Sequence, residues 1–68
     1  MFVMKPNFTF SKEEQVVLET NKDLNISFGD IGTIKEVYIF NNIEMYTVHI
    51  ENHTFNKVIE IFDIVCTA

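Results

Sequence analysis

Both glycines of the chain fall within four residues, in the stretch Ile26-Ser27-Phe28-Gly29-Asp30-Ile31-Gly32-Thr33-Ile34, and no other feature limits the fold so tightly. Glycine takes a positive φ without a Cβ penalty, so Gly29-Asp30 reads as a tight reversal. Gly32 then marks the entry to a strand, at a bend or a close backbone approach that leaves no room for a side chain. The run that follows, Thr33 to Phe40 (TIKEVYIF), is rich in β-branched and aromatic residues, the composition of a strand. Its alternation slips between Ile34 and Val37, which predicts a bulge or a strong bend around Lys35-Glu36.

Asn41-Asn42 separates that run from a second one. Asparagine tolerates the left-handed backbone of a two-residue hairpin turn, so the two runs are expected to pair. The return strand Ile43–Glu51 alternates: Tyr46, Val48 and Ile50 share one side, and Met45, Thr47, His49 and Glu51 the other. Asn52-His53-Thr54 is a second turn. Phe55–Phe62 reads as a further strand and Asp63-Ile64-Val65-Cys66 as a last short one, after a single 3₁₀ turn at Phe62-Asp63.

Earlier in the chain, Ser11-Lys12-Glu13-Glu14 has the form of a capping box. Val16, Val17 and Leu18 follow in a row, however, without helical spacing. One helical turn near residues 11–14 and a strand over about 15–20 are therefore expected, with a helix through 11–20 as the other reading. The apolar start Met1–Met4, broken off by Pro6, is either an edge strand or an arm. The expected architecture is all-β, a small five-stranded antiparallel barrel over residues 15–68 preceded by an arm over residues 1–14.

The pattern Val17-Leu18, Phe28-Gly-Asp-x-Gly-Thr-Ile-x-Glu-Val-Tyr38, Tyr46-x-Val-x-Ile50 and Asp63-Ile-Val65 resembles SH3-like barrels of the KOW-containing sort. It is most similar to short bacterial proteins with a G-D-x-G-T-[IV]-x-E-V stretch. The resemblance covers residues 15–66 and implies a five-stranded SH3-like barrel with Gly29, Asp30 and Gly32 at the turn into the second strand. It carries no catalytic set. Many KOW modules bind RNA or ribosomal proteins, and this chain departs from them in its charge.

Ten acidic residues against five basic ones give a net charge of −5. The basic residues (Lys5, Lys12, Lys22, Lys35, Lys57) are spread singly and none is arginine, so the clustered basic face of a phosphate binder is missing. Cys66 is the only cysteine, which excludes an intramolecular disulfide and fits a reducing, cytoplasmic setting. The start of the chain lacks the charged segment and apolar run of a signal peptide, and no stretch approaches the ~20 apolar residues of a membrane span. The sequons at Asn7, Asn25 and Asn52 are then read as coincidental.

Candidates for chemistry are few. His49, Glu51 and His53 have strand-and-turn spacing that brings three ligands near one another, but no fourth ligand joins them, and they are read as solvent-facing. Cys66 lacks the neighbouring base and positive setting of a nucleophile and is read as a packing residue. The pairs Glu13–Glu14 and Glu44–Glu51 have nothing to split their pKa values, and Gly-Asp-x-Gly lacks the lysine and helix of a phosphate loop. Neither an enzyme, a metal nor a cofactor is expected.

Nine phenylalanines and tyrosines are many for a core this small. Phe28, Tyr46 and one of Phe55 and Phe62 are assigned to the core. Phe8, Phe10, Tyr38 and Phe40 are assigned to a protein-binding surface, with Glu13, Glu14 and Glu44 as its acidic flank. Glu19, Asp23 and Asp30 add orientation toward a basic partner. These features lead to a non-catalytic accessory, regulatory or inhibitory protein. In one version it is of the viral or mobile-element kind, its carboxylates imitating nucleic-acid phosphates. A KOW-like nucleic-acid module, stacking bases beside Lys35 and Tyr38, is the second class. An antitoxin-like or immunity-like subunit is the third, and a homodimer through the arm or hairpin is compatible with each.

Overall fold

The computed structural model describes residues 8–68; Met1–Met4, Pro6 and Asn7, with the readings made of them, lie outside the described residues. Five strands form one antiparallel sheet: β1 (Gln15–Leu18), β2 (Ile31–Phe40), β3 (Ile43–Ile50), β4 (Lys57–Glu60) and β5 (Ile64–Thr67). Their order across the sheet is β4-β3-β2-β1-β5. Two 3₁₀ turns, Lys22–Leu24 in the first connection and Ile61–Asp63 before β5, complete the elements. The fold is all-β and barrel-like, as the composition of the runs led one to expect.

Local backbone chemistry sets the reversals. Gly29 has φ +93°, inside a turn closed by the Asp30 N–H donating to the Ser27 carbonyl at 3.0 Å. The Asp30 carboxylate accepts from the Ser27 N–H at 2.9 Å and locks the same turn. A Cβ on Gly32 would lie 3.3 Å from Leu18 Cδ1 and 3.5 Å from Val48 Cβ, so here glycine answers to space. Asn41 and Asn42 have φ 51° and 63°, the two left-handed residues of a type I′ hairpin. The β2–β3 register slips between Ile34 and Glu36, which leaves Lys35 as the extra residue of a bulge.

Because of that bulge, one face of β2 and β3 stays inward on both sides of the slip. The core is Val16, Leu18, Ile26, Ile34, Tyr46, Val48, Ile50, Ile59 and Ile64, nearly all taken from alternate positions of the five strands. Phe8, Phe10, Leu24, Val37 and Ile61 pack against it half-buried.

Several expectations are corrected. Ser11–Glu14 makes no helical turn. The Glu14 carboxylate does reach back to the Ser11 N–H at 2.9 Å, but Glu13 has φ 70° and the chain runs straight into the sheet. There the Glu13 N–H donates to Ile34 O and the Ile34 N–H to Glu14 O. Residues 8–14 are thus laid against the barrel. The first strand ends at Leu18 and the fourth is shortened to Lys57–Glu60, because Asn52 (φ 69°) opens a longer loop before it. Phe28, Phe55 and Phe62 are 64%, 75% and 70% exposed. All three sit in turns that the strand alternation does not govern, and β-branched residues fill the interior without them. Cys66 is exposed on β5 and is not a packing residue.

Candidate functional site: the outer face of the β2–β3 hairpin

Pairing sets the geometry of this site. β1 meets β2 only at Ile31–Thr33, and β4 meets β3 only from Met45 to Val48. Ile39 and Phe40 of β2 and Ile43 and Glu44 of β3 therefore pair with each other alone, as a two-stranded tip beyond the Tyr38–Met45 row, where Met45 also pairs with Glu60 of β4. Their register is Tyr38 opposite Met45, Ile39 opposite Glu44 and Phe40 opposite Ile43. Directly opposed residues share a face. Tyr38, Phe40, Ile43 and Met45 thus form one apolar face, pointing away from the core side that Val37 and Tyr46 occupy.

Tyr38 is 39% exposed and Phe40 61%; Ile43 and Met45 are half-buried beside them. Glu60 lies opposite Met45, and the next row inward is Glu36, Thr47 and Val58. Glu36 meets Lys12 at 3.7 Å, with both side chains more than half exposed, a pairing worth little in water. No cation of the described residues is within ion-pair distance of Glu60.

The reverse face of the hairpin is partly covered from within the chain, with Ile39, opposite Glu44, still 41% exposed. Phe8 and Phe10 set their edges against the Tyr46 ring at centroid distances of 6.3 and 5.8 Å. The Glu44 carboxylate accepts from the Thr9 N–H at 2.8 Å, from the Thr9 hydroxyl at 3.1 Å and from the Tyr46 hydroxyl. The Thr9 N–H, then the Tyr46 hydroxyl, hold the Glu44 carboxyl below its usual range, against a smaller opposing effect of burial. Burial, reinforced by the Glu44 bond, pushes Tyr46 up to about 12. Glu14 is likewise lowered, first by the Ser11 N–H and then by the Thr67 hydroxyl.

Of the seven residues assigned to partner binding from sequence, Tyr38 and Phe40 lie together on the open face. Phe8, Phe10 and Glu44 form the clasp behind it. Glu14 joins the entering chain to β5 through Thr67 at 2.8 Å, and Glu13 meets Lys35 at 3.3 Å. Glu19 accepts from the Thr20 N–H and Asp30 from that of Ser27, so these two acids of the first connection serve separate local bonds. Lys35, expected beside Tyr38 as a base-stacking cation, is held by Glu13. Ile43, Met45, Glu36 and Glu60 were missed as site residues. The first two were within reach, since a two-residue turn at Asn41-Asn42 by itself places Ile43 opposite Phe40 and Met45 opposite Tyr38.

His49 Nδ1 lies 3.2 Å from Asn56 Oδ1, and among the described residues no three His, Cys, Asp or Glu side chains are grouped to hold a metal ion. No helix of the described residues is long and apolar enough to cross a membrane. No family model, curated protein or solved structure matches the chain.

Proposed function

We propose that the chain is a non-catalytic protein-binding module built on an SH3-like barrel, and that it engages a basic partner through the outer face of the β2–β3 hairpin. One observation carries the reading: four apolar side chains, Tyr38, Phe40, Ile43 and Met45, share one face of the hairpin, whose other face is covered at Tyr46 by Phe8 and Phe10 while Ile39 stays 41% exposed. A contiguous apolar patch with a polar rim is the usual anatomy of a protein contact. Tyrosine and phenylalanine supply large contact area at small cost in side-chain freedom. Glu60, with no cation of the described residues within ion-pair distance, and the weakly paired Glu36 favour a partner with lysine or arginine around an apolar centre. The SH3-like assignment draws support from the strand order, the long first connection and the 3₁₀ turn before the last strand.

Affinity capture from cell lysate with the tagged chain tests this reading, using wild type beside the Tyr38→Ser/Phe40→Ser variant and each with nuclease. A protein retained by wild type after nuclease, lost by the double variant and weakened by Glu60→Gln, is the expected result. Equal capture by wild type and double variant would remove the hairpin face from the interaction. Material that vanishes with nuclease would put the KOW-like nucleic-acid reading first.

A further inference from the structure

At the far end of β3 from the hairpin tip, the first connection and the β3–β4 loop meet over a cavity of about 270 Å³. Asn25, Asn52, His53, Thr54, Phe55 and Lys57 line it. The seven steps of β3 from Ile43 to Ile50, at about 3.3 Å each, put it roughly 23 Å from the hairpin turn. Its chemistry runs against that of the rest of the molecule. In a chain of net charge −5, no carboxylate lines this cavity, and both side chains there that can carry charge are basic.

Lys57 is half-buried, and no carboxylate of the described residues lies within ion-pair distance of it. Residues 1–7 contain no Asp or Glu. An ammonium with no carboxylate partner is open to an incoming anion, and the charge-assisted bond between them is among the stronger hydrogen bonds. Phe55 stands at the same cavity with three-quarters of its surface exposed, and nothing in the fold calls for an aromatic ring there. The walls are also set in advance. Asn25 and Asn52 hold left-handed backbone at φ 59° and 69°, the His53 N–H donates to Ile50 O at 3.0 Å, and Asn56 is held against His49.

We propose that this cavity binds a small organic anion, a carboxylate or phosphate carried on a flat ring. The anion lies against Lys57 and His53, the ring against Phe55, and the Asn25 and Asn52 amides supply neutral donors. The site is independent of the hairpin face and stands or falls separately from it.

Amide NMR titration of the full chain with phenyl phosphate, inorganic phosphate and benzyl alcohol tests the proposal. Phenyl phosphate is expected to give saturable shifts centred on Asn25 and residues 52–57, and benzyl alcohol none that saturate. Lys57→Met is expected to abolish saturation by both phosphates, and Lys57→Gln to repeat that loss should the methionine disturb β4. Phe55→Ala weakens phenyl phosphate about tenfold, the scale of one aromatic stacking contact, and leaves inorganic phosphate unchanged. Shifts that fail to saturate, that centre elsewhere, or that persist in a folded Lys57→Gln chain would overturn it, as would equal binding of benzyl alcohol. Tyr38→Ser leaves the titration intact, which separates this site from the hairpin.

Discussion

Replacing Gly29 by valine tests a backbone angle, whereas the same change at Gly32 tests space. Gly29 has open surroundings but φ +93°, so Gly29→Val is expected to cost about 1–2 kcal/mol through the left-handed backbone alone. Asparagine accepts that region better, and Gly29→Asn should recover part of the loss. Gly32 has no positive φ, but Leu18 and Val48 lie within 3.5 Å of where a Cβ would stand. Gly32→Val is expected to cost about 1–3 kcal/mol by overpacking, and Gly32→Ala distinctly less. Urea midpoints of the four variants check both accounts. A Gly29→Asn as damaging as Gly29→Val would refute the first, and equal loss from Gly32→Ala and Gly32→Val the second.

Among the elements, the clasp of residues 8–10 over the hairpin is the one most exposed to pH. Glu14 and Glu44 both have folded pKa values below their unfolded ones. Their contribution is therefore complete above about pH 4.5 and is lost as pH falls through the lowered values. Tyr46 acts in the other direction: it is raised to about 12, so its contribution is complete below about pH 10 and is lost between there and 12. Denaturation at pH 6 and pH 3 should show a loss of stability that shrinks in Glu14→Gln/Glu44→Gln. An undiminished loss in that variant would assign the acid sensitivity elsewhere. Tyr46→Phe, which removes the bonds to Glu44 and to the Phe10 N–H, should cost about 1–2 kcal/mol and flatten the alkaline limb. Elements formed by neighbours in the chain were legible in the sequence. The glycine turn, the Asn41-Asn42 reversal, the bulge at Lys35 and the inward set Tyr46, Val48 and Ile50 each follow from local backbone chemistry or from alternation. The Glu14 carboxylate's reach to the Ser11 N–H was legible too, three residues away, but the bonds of Glu14 to Thr67 and of Glu44 to Thr9 were not, because those partners lie 53 and 35 residues away. Nor were Phe28, Phe55 and Phe62, since counting aromatic residues says how many compete for the interior and not which of them sit in turns.

At the scale of the whole fold, nine buried side chains among the described residues carry the interior, and a domain of this length has a total stability of roughly 3–10 kcal/mol. Ile50→Ala, at a fully buried position, is expected to cost about 2–5 kcal/mol and so to leave the chain largely unfolded or close to it. Tyr38→Ser and Phe40→Ser, on the open face, should each stay within about 0.5–1 kcal/mol of wild type. Thermal denaturation followed by circular dichroism separates the two classes. A core variant that melts like wild type, or a hairpin variant that melts like Ile50→Ala, would contradict the division between interior and exposed face.

The turn at Asn41-Asn42 also has a consequence in time. It joins partners only two residues apart, whereas β1 and β5 pair across about fifty residues of chain, and closing the longer loop is the slower event. The hairpin is then the segment organised in the folding transition state, and β5 docks afterwards. Asn42→Ala should slow refolding and leave the unfolding rate nearly unchanged, while Glu14→Gln, which loosens β5, should do the reverse. Stopped-flow rates for the two variants read this directly, and equal effects on both limbs would reject the order. The ribbon that carries the proposed binding face is, on this account, also the one that sets how fast the protein acquires its structure, so a change there would alter the proposed recognition and the folding speed together.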